Sequence, residues 1–310
     1  MHQTTNTILM IRPVSFRMNE QTAVNNYFQE DLDLKNAEIN AKAQEEFDAF
    51  VEKLRAVGVN VIVENDDKLM DTPDSIFPNN WVSFHENGDV ALYPMFAENR
   101  RKERRDEVFI RLEKEGFKIE NIVDYTSAEE EGVFLEGTGS LLLDRINHKA
   151  YCALSPRADE ELFIEFCEDF EYTPIVFTAN QTVDGERLPI YHTNVMMCLA
   201  EKFAVICLDS IDDKKERKQV VKSLKEDGKT IISITESQMH QFAGNMLQVR
   251  GHLNQRYLVM SQAAHNSLTK AQITEIEKFC PIISSSLETI ETCGGGSARC
   301  MMAEVFLPKN

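Results

Sequence analysis

No apolar run in this sequence approaches the roughly 18 residues that a membrane-spanning helix needs. The opening residues, MHQTTNTILMIRP, lack the basic end and long apolar stretch of a secretory leader, so the chain reads as a cytoplasmic protein without a membrane role. Paired C-x-x-C spacing is missing as well. The seven cysteines, at 152, 167, 198, 207, 280, 293 and 300, are odd in number and scattered, which excludes a disulfide framework and a zinc site and leaves reduced thiols. Positive charge is scarce. With 33 Lys and Arg against 51 Asp and Glu, the net charge of −18 repels a phosphate backbone and excludes nucleic-acid binding as the main role. The cluster Arg100-Arg101-Lys102 with Arg104-Arg105 is the local exception, and it reads as the solvated first turn of a helix running to Leu112.

Glycine is also sparse, 13 in 310 residues, yet three stand together in Cys293-Gly294-Gly295-Gly296-Ser297-Ala298-Arg299-Cys300-Met301-Met302. Consecutive glycines let the backbone take φ values closed to other residues and pass close to a ligand. A cysteine just past them, opening an apolar run, sits where a loop at a strand mouth presents a nucleophile, and Arg299 with the loop amides would favour the thiolate. The same residues also fit a linker before a last core strand, with Cys300 as a small buried apolar side chain.

The rest of the chain alternates strands with helices. TILMIR reads as a buried strand stopped by Pro13, apolar spacing through Ala43, Phe47, Phe50, Val51 and Leu54 as a helix, and VNVIVE as a second strand. A hairpin turning at Asn87-Gly88, a helix from about Arg101 to Lys114 and the strand FKIENIVDY follow. VFLEGTGSLLLD and KAYCALS as strands, a helix at 159–169 and the strand TPIVFTA form the next unit. IYHTNVMMCLA, KFAVICLD, a helix at 214–226 and KTIISIT make another; FAGNMLQVRG, RYLVMSQ, a helix at 269–279 and PIISSS make the last.

Units opening near Asn80, Gly137, His192 and Gly244 are 57, 55 and 52 residues apart, a period that signals an array of supersecondary units. Five ββαβ units in one domain spanning 1–310 predict an α/β fold in the form of a five-bladed, pseudo-symmetric propeller. Its repeat openings would share a central pocket. Two stacked α/β domains are the competing architecture. On the propeller reading, the axial loops bring together Asp74, Asn79, Asn80, Glu136, His192, Asn194, Asn245 and Cys300. Cys300 is then a candidate nucleophile, His192 a proton shuttle, and Glu136 an acceptor for a substrate nitrogen or for the imidazole. Taken singly, His192 beside Tyr191 also fits a core histidine, and Asn79-Asn80 after Pro78 fit turn residues.

These residues resemble a known family. GGGSARCMM resembles the nucleophile loop of arginine deiminases, FLEGTGSLLL their acid-bearing strand start, and HTNVMM their histidine strand; PDSIFPNNW resembles a stretch of dimethylargininases, and FAGNMLQV a strand of both. In order, and spanning residues 73 to 306, they resemble the guanidine-modifying superfamily with the pentein fold, most nearly its citrulline utilisation hydrolases. The resemblance implies Cys300 as covalent nucleophile, His192 as general acid and base, Glu136 as the acid that grips substrate nitrogens, and neither metal nor organic cofactor.

The departures bear on the substrate. Where arginine deiminases carry a carboxylate after the histidine this chain has Asn194, and where relatives set an aspartate against the guanidinium it has Asn80. A guanidinium offers only donors and suits carboxylates, whereas a neutral ureido group has an acceptor oxygen that an amide serves, so a ureido amino acid, citrulline, is expected. Asp74 is the candidate for its α-amino group, and Arg145, Arg250 or Arg299 for its carboxylate, with the glycine-loop amides at the oxyanion. An arginine deiminase or dimethylargininase acting on a guanidino amino acid, and a silent pentein binding a protein partner, are the alternatives. A papain-like protease fits poorly, because repeats converging on a pocket leave no long cleft. A homo-oligomer is compatible with the sequence.

Overall fold

The computed structural model describes residues 2–309. Among them are five three-stranded sheets of one plan and a separate two-stranded hairpin, giving a mixed α/β fold. In each three-stranded sheet the central strand pairs antiparallel with one neighbour and parallel with the other. The parallel neighbour can be reached only by a crossover, and a helix makes it every time.

The sheets follow chain order with one exception. Val82–Phe84, Asp89–Leu92 and Asn121–Asp124 form one, crossed by the helix Asp106–Lys114. Leu141–Asp144, Lys149–Leu154 and Thr173–Thr178 form the next, crossed by Glu160–Asp169. Met197–Leu199, Phe203–Ile206 and Thr230–Ser233 are crossed by Lys214–Glu226, and Leu247–Arg250, Arg256–Ser261 and Ile282–Ser285 by Lys270–Glu277. The exception joins the two ends of the chain: Thr7–Arg12 lies between its parallel partner Asn60–Asn65 and the C-terminal Ala303–Glu304. Its crossover, Asn36–Ala56, buries Ile39, Ala43, Phe47, Phe50, Val51 and Leu54, a stripe at helical spacing that packs in one apolar cluster with Phe77, Cys300 and Met302.

Four expectations need correction. The first strands of the sheets start later than the sequence pattern suggests, because short helical turns precede them: Pro78–Asn80, Gly137–Ser140 and Thr193–Met196. Buried Gly, Thr, Ser and Asn make up most of these turns, and a single turn is too short to show a helical period. The helix expected from 101 to 114 is two helices, Glu98–Arg101 and Asp106–Lys114, because Arg100 is drawn inside. The triple glycine is not all loop, since Gly294 ends the helix Glu288–Gly294 and Gly295, at φ +60°, caps it in the left-handed conformation. Last, the hairpin Asn180–Val183 with Glu186–Pro189 was not anticipated, although Asp184-Gly185, both at positive φ, is a strong hairpin-turn signal. No helix among the described residues is long and apolar enough to cross a membrane.

Candidate active site

The residues of interest sit in or beside the turns that open the sheets, where the backbone has left one sheet and not yet entered the next. Asn80 lies in the turn Pro78–Asn80, while Glu136 and His192 immediately precede the turns Gly137–Ser140 and Thr193–Met196. Cys300 lies in a turn before Ala303–Glu304, and Asn245 directly follows the turn at 241–244 that precedes Leu247–Arg250. Asp74, Asn80, Arg100, Arg157, His192 and Cys300 line one narrow cleft, walled also by Phe77, Tyr191 and the glycine loop. Larger cavities open elsewhere, one beside Phe28, His240 and Glu288 and one beside Thr7, Arg250 and Phe306, but neither holds this set.

One wall of the cleft is ionic. Glu136 Oε2 is 2.7 Å from His192 Nε2, 3.5 Å from Arg157 Nη1 and 3.9 Å from Arg100 Nη1, and Oε1 accepts from the Phe96 amide at 3.0 Å. Burial alone would raise this carboxyl, but Arg157, His192 and Arg100 together hold it down to about 2, so it is ionised at neutral pH. Burial lowers His192 to about 4 against the upward pull of Glu136, which makes the imidazole neutral and able to take a proton. Arg100 grips Glu103 with two hydrogen bonds of 2.9 Å and donates to Asn80 Oδ1 at 2.7 Å. Arg157 donates to Asn25 Oδ1 and, at 2.9 Å, to the Thr22 carbonyl, with its guanidinium 5.0 Å from the Tyr191 ring centroid. Asp74 Oδ2 accepts from Asn19 and Thr22, whereas its buried Oδ1 has no hydrogen-bond partner among the described residues. Burial raises the Asp74 carboxyl, opposed by Arg100 and Arg157.

On the other wall Cys300 lines the cleft, backed by two side-chain amides. Asn245 Nδ2 donates to Cys300 Sγ at 3.2 Å and Asn194 Nδ2 at 3.5 Å, and Cys300 is 2% exposed. Asn245 is itself held by the Arg299 amide, which donates to its Oδ1 at 3.0 Å. Gly294 and Gly296 are packed against Phe77, whose ring would lie 2.8 to 2.9 Å from an added Cβ. The expectation that loop amides await an oxyanion needs revision at three positions: Gly295 N donates to the Glu291 carbonyl, Cys300 N to the Ser297 carbonyl and Arg299 N to Asn245. Among the described residues no His, Cys, Asp or Glu cluster could hold a metal ion.

Not every expected residue arrives. Arg299 turns its guanidinium to Glu304, at 3.0 Å, and to the Met302 carbonyl, beside a separate small cavity shared with Gln3 and Gln248. Arg145 lies over the Phe306 ring, and Arg250 lines a different cavity. Asn79 is buried beneath the cleft, where its carbonyl accepts from Thr138 and its Oδ1 from Asn80. Asn194 faces the sulfur, not open space. In their place stand Arg100 and Arg157, which the sequence reading assigned no role. Arg100 belongs to the basic cluster read as solvated; it is 2% exposed because buried Glu103, Asp74 and Glu136 lie within ion-pair reach. A run of arginines carries no local sign of burial. Arg157, in the turn between the strand Lys149–Leu154 and the helix Glu160–Asp169, offered no signal either.

The sequence matches the family described as N,N dimethylarginine dimethylhydrolase, eukaryotic, over residues 12–307. Among solved structures it is similar to ArgZ, an arginine dihydrolase from the ornithine-ammonia cycle in cyanobacteria, with a TM-score of 0.73 and 15% identity over 98% of this chain and 41% of that one. The chain thus spans about two fifths of full-length ArgZ. Against the N-terminal domain of ArgZ bound to its substrate the TM-score is 0.69 at 15% identity, over 97% of this chain and 99% of that domain. A dimethylarginine dimethylaminohydrolase adduct with S-methyl-L-thiocitrulline matches at 0.65 and 15%, over 96% and 98%. No curated protein matches the sequence. At these identities the structures show a shared fold, that of the penteins.

Proposed function

The chain belongs to the N,N-dimethylarginine dimethylhydrolase family, among the cysteine-dependent hydrolases of the guanidine-modifying pentein superfamily, and on that premise we propose that it hydrolyses citrulline to ornithine, carbon dioxide and ammonia. The observation that carries this choice is the chemistry around the sulfur. Its polar neighbours are the amides of Asn194 and Asn245, with Asn80 across the cleft, while Asp74 and Glu136 already face the guanidinia of Arg100 and Arg157. A guanidinium would set a cation beside a sulfur whose hydrogen-bond partners are neutral amides, whereas a ureido group adds no charge and brings an oxygen that the Asn80 amide in the cleft lining can serve.

In the proposed reaction, Cys300 passes its proton to neutral His192 and attacks the ureido carbon. The bond from that carbon to the side-chain nitrogen breaks as His192 returns the proton to the departing amine, freeing ornithine and leaving a carbamoyl thioester. Water then gives a proton to His192 and adds to the thioester; the thiolate leaves and carbamic acid falls apart into carbon dioxide and ammonia. Glu136, ionised and bonded to Nε2, fixes the ring and stabilises its charged form, which leaves the other ring nitrogen to carry the proton. The orphaned Asp74 Oδ1 is the acceptor a substrate α-ammonium would satisfy, and Arg157 is the partner for its carboxylate. The five sheets would stand as the blades of one propeller in a single catalytic domain, 1–310, about this cleft.

A guanidino substrate is the second reading, favoured by the family match and by the named activity of ArgZ. Incubation with citrulline, arginine and methylated arginines, scoring ornithine, citrulline and ammonia beside a Cys300→Ser control, separates the two. Ornithine and ammonia from citrulline, absent in the control, are expected. Citrulline accumulating from arginine overturns the proposal.

A further inference from the structure

Among the described residues no cationic side chain hydrogen-bonds to the sulfur of Cys300. Arg299, its neighbour in sequence, is engaged by Glu304 and the Met302 carbonyl, Arg100 by Glu103 and Asn80, and Arg157 by Asn25 and Thr22. What the sulfur does have is a pair of side-chain amides: Asn245 Nδ2 at 3.2 Å and Asn194 Nδ2 at 3.5 Å, with Asn194 Oδ1 at 3.7 Å as acceptor for the thiol hydrogen. The pair is braced. Asn245 Nδ2 shares its two hydrogens among the sulfur, the Asn194 backbone carbonyl at 3.1 Å and Asn194 Oδ1 at 3.3 Å, while the Arg299 amide fixes Asn245 Oδ1 and the Thr138 carbonyl lies 3.4 Å from Asn194 Nδ2.

We infer that Asn194 and Asn245 form a clamp that holds and receives the charge of the sulfur, taking the place of the positive charge a guanidino substrate would bring to it. A cationic substrate sets its own charge beside the attacking sulfur, an attraction that strengthens as the site is desolvated. A neutral ureido carbon brings none, so the protein must provide donors, and an amide at 194 donates to a thiolate where a carboxylate would repel it. The inference deepens the ureido reading and rests on it for its purpose, but the clamp itself is a property of the unliganded sulfur.

That permits a test without substrate. The rate of alkylation at neutral pH by neutral iodoacetamide and by a cationic haloacetamidine is measured on the intact chain, on Asn245→Ala and on Asn194→Asp. Cys300→Ala reports the background from the six other cysteines. Loss of one charge-accepting hydrogen bond predicts an iodoacetamide rate about tenfold lower in Asn245→Ala. In Asn194→Asp, which keeps the shape, the neutral probe slows at least as much and the preference for the cationic probe rises about tenfold, the new carboxylate restoring the need for an external cation. Turnover of citrulline should fall in kcat with KM little changed. Unaltered alkylation rates and an unaltered probe preference in Asn194→Asp overturn the clamp, even where Asn245→Ala fails to fold. If instead the intact chain does not turn over citrulline, the proposed substrate falls while the probe ratio still reads the clamp.

Discussion

The two walls of the cleft solve different problems. On one, Asp74, Arg100, Glu136 and Arg157 are ionised or ionisable groups within 4 Å of a partner, all nearly excluded from water. On the other, the hydrogen-bond donors to Cys300 among the described residues are the neutral amides of Asn194 and Asn245. Burying charge is tolerable where opposite charges and hydrogen bonds compensate it, and the ionic wall has both. On the proposed ureido reading, the ionic wall would let a zwitterionic head group exchange partners, and the amides would suit a reacting group without charge. Glu136 and His192 join the two, one hydrogen bond reaching from the arginines to the imidazole.

The largest effect that would sharpen this contrast comes from the ionic wall. Arg157→Met removes a guanidinium whose Nη1 lies 3.5 Å from Glu136, and with it the proposed carboxylate partner. Citrulline kcat/KM should fall by about 10²-fold or more, chiefly through KM, as expected for a lost charge-assisted pair in a desolvated site. An alkylurea without the carboxylate should be as poor a substrate of the variant as of the parent. Equal losses on both substrates would show that Arg157 only braces Glu136, and the division between the walls would fail.

How far the walls could be read beforehand follows the same line. Cys300, Asn245 and Asn194 were gathered from sequence as axial-loop residues, because they lie near the openings of segments that recur at similar spacing. Their partners were not: Asn194 was set against the substrate, and the structure sets it against sulfur. Half of the ionic wall was hidden, since Arg100 and Arg157 become interior only through Glu103, Asn80, Asn25 and Glu136, residues 3 to 132 positions away. The sheets and crossovers were legible where apolar strands and a full helical period coincide, as at Lys214–Glu226, and illegible where one turn of buried polar residues precedes a strand.

One of those turns offers the next test. Gly139 passes between the walls, and a Cβ there would lie 2.5 Å from Asn80 Nδ2 and 2.7 Å from His192 Nδ1. Gly139→Ala should displace both side chains, lowering kcat by about tenfold or more and stability by about 1–3 kcal/mol, the range for overpacking a tight interior. Gly185→Ala is the contrast: nothing lies within 4 Å, but φ is +84°, so a cost of about 1 kcal/mol without loss of activity is expected. Urea titrations with matched kinetics read both. An active Gly139→Ala enzyme would mean the walls can slide independently.

The effect that is smallest at neutral pH is one of acid titration, and it falls on the link between the walls, since amides do not titrate. His192 is lowered by burial from 6.5 to about 4 in the folded protein, so between those values the unfolded chain binds the extra proton. Stability from this group is therefore complete above about pH 6.5 and is lost as the pH falls toward 4, by about 2 kcal/mol between pH 6.5 and 5. Glu136, held at about 2, adds a loss of the same sign only below its ordinary value of 4.5. Glu291, pushed up to about 7 by burial, acts in the opposite sense, so the informative quantity is the difference between parent and variant. His192→Gln should keep its urea midpoint between pH 6.5 and 5 better than the parent does, whatever its midpoint at pH 7. Parallel profiles would mean that His192 is already protonated in the fold at pH 6, and an imidazolium bonded to Glu136 could not take the proton from Cys300.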